Sequence, residues 1–259
     1  MFEDIKHKNK IVDIDGKKFI KKSFNSNNFS LLRKEYKIER ALSEKSITPY
    51  VRLLYGIYFY EELVNIKKID LTQDFIKDLS LVLRELHRIK IDYWSESIKK
   101  AIKNDFIKKD CYELFLLYQE IFKRLPSNFF NYKLESKIDE KIKFYNQYLN
   151  KKKYTTCLIH GDLSQNNVLL DSNGSIKLID WTDARIDVPS HDIAQVFYLF
   201  KFDKKQQNFF LKNYGSTWID KEIIEMHSLV FLIYDLASFW ILHKKKNNFI
   251  MNQIKMILK

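Results

Sequence analysis

The amino-acid sequence predicts an α+β chain in which short strands come first and helices follow. Three observations carry this reading: a β-hairpin signal at Asp15-Gly16, helical periodicity from Thr72 to Ile89, and a stretch from Cys157 to Thr182 in which short apolar runs bracket a polar loop and a second turn. A length of 259 residues suits one two-lobed domain or two small ones, and a 46% hydrophobic share is enough for an ordinary core.

The hairpin lies in KIVDIDGKKFIKKSF, Lys10 to Phe24, where two β-prone runs flank a pair that accepts the positive φ of a type I′ turn. Next comes SLLRKEYKIERAL, with Leu31, Leu32, Tyr36, Ile38 and Leu42 at roughly helical spacing and neither Gly nor Pro. After Pro49, VRLLYGIYFY and ELVNIKKI read as two further strands. Thr72 then N-caps a helix, TQDFIKDLSLVLRELHRI, whose Phe75, Ile76, Leu79, Val82, Leu83 and Leu86 form one stripe. Residues 95–150 are rich in lysine and aromatic side chains, with helical periodicity in YELFLLYQEIF and KIDEKIKFYNQYL broken at Pro126. From Ile193 onward the chain is helical again, ending in a lysine-flanked amphipathic tail.

The formal charge of +12 is nearly all lysine, spread along the chain as in the runs 151–153 and 244–246. It reads as coding bias toward Lys, Asn and Ile rather than a dedicated basic surface, so no nucleic-acid partner is expected. Cys111 and Cys157 are too few for a disulfide framework or a zinc cluster, which points to a reducing compartment. The N-terminus MFEDIKHKNK has no apolar signal core, and no uncharged run reaches the roughly 18 residues of a membrane span. A cytoplasmic protein is expected, with peripheral membrane contact left open.

The chemistry lies between His160 and Asp180. Phosphoryl transfer on a divalent cation needs hard oxygen ligands for Mg²⁺ and a carboxylate beside the attacking hydroxyl, all on rigid backbone. Asp162 opens the polar loop, Asn167 closes it before the strand VLL, and Asp180 ends the strand IKLID. A turn at Asn173-Gly174 would fold these strands together, so Asn167 and Asp180 should meet at one end of the ribbon. Any one of these residues alone would more simply be an exposed polar side chain; the ordered set is what points to a site.

HGDLSQNNVLL followed by IDWTDARIDVPSHDIA resembles the catalytic and metal-binding signature of the aminoglycoside phosphotransferase, choline kinase and related small-molecule kinases. The resemblance implies a protein-kinase-like two-lobed fold, with a small N-terminal β-sheet lobe carrying one helix over residues 1–68 and a larger, mainly helical catalytic and acceptor-binding lobe over 69–259. It implies ATP and Mg²⁺ as cofactors and a small-molecule hydroxyl as acceptor. Asp162 would orient the hydroxyl and take its proton, Asn167 and Asp180 would hold Mg²⁺, and His160 and Asp192 would brace the loop. Gly161 stands where most protein kinases have arginine, which argues against activation-loop control.

In the N-terminal half the family pattern selects Lys21 as the phosphate-gripping lysine, with Lys22 as the fallback and Phe19, on the Lys21 face, beside adenine. Glu35 would brace that lysine, and the nucleotide hinge would fall near Asn65, Ile66 and Lys68. For any single Lys or Glu a solvated surface position is the default. The five glycines, at 16, 56, 161, 174 and 215, allow neither G-x-G-x-x-G nor a Walker A sequence.

The acceptor is expected to be a small hydroxyl compound carrying positive charge, such as an amino alcohol like choline or an aminoglycoside. Asp183, Asp187 and Asp235 beside Trp181, Tyr234 and Trp240 are its candidate contacts, with core packing the plainer reading of the aromatics. The net charge raises an anionic or neutral envelope sugar as the alternative. A metal-dependent phosphohydrolase using His160, Asp162, Asp180, His191 and Asp192 ranks lower, as does a pseudokinase, because no metal ligand is lost.

Overall fold

The computed structural model describes residues 10–23, 29–53, 58–62, 66–90, 94, 96, 99, 120, 125–126, 129–151, 155–215 and 219–258. The chain divides into two compact units, one of Met1–Asp105, Cys157–Ile186 and Phe202–Ser216, the other of Phe106–Thr156, Asp187–Lys201 and Thr217–Lys259. The units interleave along the chain, because strands after Cys157 pair back onto the N-terminal part.

In the first unit, β1 (Lys10–Ile14) and β2 (Lys17–Ser23) form the expected hairpin, with Asp15 at φ +54° and Gly16 at +76°. They continue into an antiparallel sheet of order β1-β2-β4-β3, with β3 at Val51–Leu53 and β4 at Tyr58–Glu62. The two strands expected after Pro49 are thus differently bounded: the first run is split into the β3–β4 pair, and β4 extends into the second run to include Glu61 and Glu62. Helix α1 (Phe29–Ser43) buries Leu32 and Tyr36 against Val51 and Phe59.

A second sheet of order β5-β7-β8 joins Ile66–Lys67 to Val168–Asp171 and Ile176–Leu178, in register Ile66↔Asp171 and Val168↔Leu178. Helix α2 (Gln73–His87) begins at Thr72, whose hydroxyl accepts from the Phe75 amide, and buries Phe75, Ile76, Leu79, Leu83 and Leu86. Strand β6 (Cys157–Ile159) is wholly buried and pairs with β9 (Arg185–Asp187), whose Arg185 and Ile186 end this part of the unit.

The second unit contains α3 (Tyr132–Lys151), α4 (Ser190–Leu199), α6 (Lys221–His243) and α7 (Asn248–Ile257); α5 (Lys204–Tyr214) belongs to the first, packed on α2 through a 2.8 Å His87–Tyr214 hydrogen bond. The core of the second unit gathers Phe129, Ile138, Leu229, Leu232, Leu236 and Ile254. Helix α6 is long and apolar enough to cross a membrane, yet ten of its residues, from Ile223 to Ala237, are buried, as in a core helix. The helix expected at YELFLLYQEIF lies outside the described residues except for Glu120.

Candidate active site

The polar loop between β6 and β7 is built by short-range bonds. His160 is fully buried against the Trp181 ring, 4.4 Å between centroids. Its Nδ1 accepts from the Asp162 amide at 3.3 Å, which leaves Nε2–H to donate to the Ile179 carbonyl at 2.9 Å. A histidine so held ties the start of the loop to the Ile179 backbone just beyond β8. Gly161 has φ +85°, and a Cβ there would lie 2.4 Å from the Asp183 carbonyl oxygen, so only glycine fits.

Asp162 and Asn167 are joined twice: the Asn167 Nδ2 donates to the Asp162 carbonyl at 2.9 Å and to its Oδ2 at 2.8 Å. This fixes which way the amide points and turns the Asn167 side-chain oxygen away from Asp162. The Ile179 amide donates to the Asn167 carbonyl at 3.0 Å, so β7 and β8 close as expected and bring Asp180 to the Asn167 end of the ribbon. Asp180 sits in the left-handed region at φ +64°, a strained position for a residue with a Cβ, and its Oδ1 accepts from Thr182 at 2.5 Å. Burial pushes the Asp162 carboxyl above the usual carboxylate range, the His160 ring opposes this, and the charges of Asp183 and Asp180 add to it.

Among the described residues no three His, Cys, Asp or Glu side chains form a metal cage. Mg²⁺ needs none, since it takes one or two protein oxygens with phosphates and water for the rest. The outward Asn167 oxygen and the Asp180 carboxylate supply that kind of donor set.

The lysine that pairs with Glu35 is Lys22, the fallback, and not Lys21. Lys22, not Lys21, is buried and pairs with Glu35 at 2.8 Å, while Lys21 places its Nζ 3.6 Å from the centroid of the Tyr58 ring. The reason is register: Lys22 opposes Phe59 and shares a face of the sheet with Ile20 and Glu61, whereas Phe19 and Lys21 share the other face with Tyr60. Phe19 is accordingly not beside the buried lysine; it is buried with its ring edge-on to Tyr60.

Two further carboxylates, absent from the sequence-based set, complete the lysine site: Glu39 at 3.2 Å and Glu61 at 2.7 Å from Lys22 Nζ. Burial opposes the Lys22 charge, but Glu39, Glu35 and Glu61 outweigh it and hold the ammonium well above its ordinary pKa. Burial, with repulsion from neighbouring acids and against the pull of Lys22, raises both Glu39 and Glu61. Glu39 was findable as the residue one helical turn beyond Glu35; Glu61 required the β2–β4 register.

The remaining candidates separate. Asn65 lies outside the described residues, Ile66 pairs with Asp171 in β5, and Lys68 follows it, exposed. Trp181 is spent on the core, its indole N–H donating to the Leu178 carbonyl, so it offers no acceptor surface. Asp183 is exposed in the first unit. In the second unit Asp187 is buried, Asp192 is fully buried in the first turn of α4, and Trp240 packs edge-on to Phe129. Tyr234 is exposed, and the neighbouring Asp235 accepts a hydrogen bond from the Tyr198 hydroxyl, whose pKa burial and this bond raise.

The family profile described as "Phosphotransferase enzyme family" matches residues 9–228. Over 49 residues, 19% of this chain and 17% of the other, the sequence is 49% identical to the RIO-type serine/threonine-protein kinase Rio2 of Methanocaldococcus jannaschii. Over 78 residues, 27% of this chain, it is 36% identical to the uncharacterized protein YcbJ of Bacillus subtilis, of which it spans 25%. The matches thus span a quarter or less of these relatives. Among solved structures, choline kinase LicA of Streptococcus pneumoniae aligns with a TM-score of 0.63 at 15% identity, over 96% of this chain and 88% of that one. The GDP complex of wild-type aminoglycoside 2'-phosphotransferase-IIIa aligns with a TM-score of 0.64 at 17% identity, over 99% and 93%. These alignments establish the two-lobed kinase-like α+β fold.

Proposed function

Because the chain belongs to the phosphotransferase enzyme family, we propose that it transfers the γ-phosphoryl group of ATP to a hydroxyl of a small molecule, with Asp162 as the base. The observation that carries this reading is the pair of hydrogen bonds from Asn167 Nδ2 to Asp162 at the end of the ribbon where Asp180 also sits. Asp162 orients the acceptor hydroxyl and takes its proton; its burial strengthens the carboxylate as a proton acceptor. Asn167 and Asp180 hold Mg²⁺, which when bound offsets the charge of the phosphates. Lys22, braced by Glu35, takes over the phosphate-gripping role expected of Lys21. Residues 1–68 act as the nucleotide-binding lobe, with the backbone near Ile66 and Lys68 facing adenine, and residues 69–259 as the catalytic and acceptor lobe.

For the acceptor, an amino alcohol or aminoglycoside is favoured by Asp235, which with Tyr198 and the exposed Tyr234 offers a carboxylate among aromatic rings. Solved relatives include one described with kanamycin and one described as a choline kinase. The chain's charge of +12 acts at long range and is screened beyond about 8–10 Å, so local acids decide. The test is ATP consumption with Mg²⁺ against choline, ethanolamine, aminoglycosides, nucleosides and sugars. Turnover of an amine is expected; turnover confined to neutral or anionic sugars would replace the cationic acceptor with an envelope sugar.

A further inference from the structure

One cation faces three carboxylates in the lysine site. Lys22, Glu35, Glu39 and Glu61 are all buried, so water cannot dilute the imbalance. Bracing a lysine takes one acid, and Glu35 supplies it with a 2.8 Å hydrogen bond. Glu39 stands one turn further along α1, at 3.2 Å, and the dominant charges around it are those of Glu61, Lys22 and Glu35. Among the described residues, Glu35 Oε2, Glu39 Oε2 and Glu61 Oε1 have no hydrogen-bond partner, so the cluster is over-supplied with acceptors.

Glu61 differs from the two helix acids. It comes from β4, the strand bonded directly to β2, and it makes the shortest ion pair with Lys22, at 2.7 Å. The charge of Asp180, at the end of the catalytic ribbon, also acts on Glu61. Glu61 therefore sits close to Lys22 and within the field of Asp180, in the region where the proposed function needs negatively charged phosphates.

We propose that Glu61 is a positioning residue that competes with nucleotide phosphates for Lys22, so that nucleotide binds by displacing Glu61 while Glu35 keeps its bond to the lysine. The proposal rests on the phosphate-gripping role of Lys22 given above. A carboxylate that only staples the sheet would strengthen nucleotide binding by holding Lys22 still; a competitor weakens it by keeping Lys22 engaged.

Calorimetry of ADP binding on wild type, Glu61→Gln and Glu35→Gln separates the two roles. Glu61→Gln is expected to lower the ADP Kd about 5-fold, the factor for a lysine available in about a fifth of molecules, while Glu35→Gln raises it. Without nucleotide, Glu61→Gln should melt no lower than wild type, because a surplus buried charge has been removed. An unchanged or raised Kd in a folded Glu61→Gln protein overturns the proposal. Should that variant not fold, the structure of the wild-type ADP complex decides: the Lys22–Glu61 ion pair opens with Lys22–Glu35 kept, or it stays closed and the proposal fails. If the wild type binds no nucleotide at all, the phosphotransferase reading falls with it, an outcome distinct from failure of the competitor role alone.

Discussion

The His160–Asn167 loop and the lysine cluster solve the problem of burying charged groups in opposite ways. In the loop, His160, Asp162 and Asn167 satisfy one another within eight residues and one paired strand, through bonds of 2.8 to 3.3 Å. The Asp162 carboxylate stays half-buried with a donor on one oxygen. The lysine cluster instead draws on β2, α1 and β4, fully buries three acids around one ammonium, and leaves carboxylate oxygens without partners. A site completed by local bonds is fixed as folded, whereas surplus buried charge leaves acceptors unmatched at a cost in stability.

The largest expected effect strikes the cluster at its only described cation. Lys22→Ala should cost about 3–5 kcal/mol of stability by stranding buried carboxylates, and Lys21→Ala should cost little. Chemical denaturation of the two variants reads this directly, and equal losses would remove the special status of Lys22. On the loop side, Asp180→Ala should abolish Mg²⁺-dependent nucleotide binding, because the proposed cation loses its charged ligand. Calorimetry with and without Mg²⁺ checks it, and unchanged Mg-ATP affinity would shift the metal role elsewhere.

Gly161→Ala sharpens the claim that the loop is rigid. With φ at +85° and the Asp183 carbonyl 2.4 Å from the added Cβ, the variant should lose about 1–3 kcal/mol and misplace Asp162. A thermal melt and turnover equal to wild type would mean that the loop yields freely.

The smallest effect concerns Glu39 and depends on pH. Its folded pKa is raised, first by burial and then by Glu61, with Glu35 adding and Lys22 opposing. Between the unfolded and folded pKa values the native state holds more protons than the unfolded one, so this residue's contribution is fully present below the unfolded pKa and is lost as pH rises through the folded one. Glu39→Gln should therefore match or exceed wild-type stability at neutral pH and lose that advantage at about pH 4, near the ordinary glutamate pKa. Melts across that range showing a constant difference would contradict it.

These contrasts also explain what could be read in the sequence. The β1–β2 hairpin, α2 with its Thr72 cap, and the order Asp162, Asn167, Asp180 were legible because each depends on near neighbours, a turn pair, a cap or one ribbon. The partner of Glu35 was not fixed between Lys21 and Lys22, because a β-strand slip of one position moves a side chain to the other face, and KKFIKKS offers lysines on both. Glu61 could not be assigned without knowing that β4 begins at Tyr58 and pairs with β2. Trp181 was given to the acceptor because aromatic residues near an acid look alike on paper whether they line a pocket or, as here, fill the core under His160.

The central claim is phosphoryl transfer with Asp162 as the base, and its most direct test compares wild type with Asp162→Asn in a γ-phosphoryl transfer assay against the acceptor panel, alongside ADP binding. Asparagine is of similar size but accepts no proton, so kcat should fall by at least about 100-fold while the ADP Kd stays nearly unchanged. Full turnover in the variant, or no transfer from ATP to any acceptor by the wild type, would contradict the account.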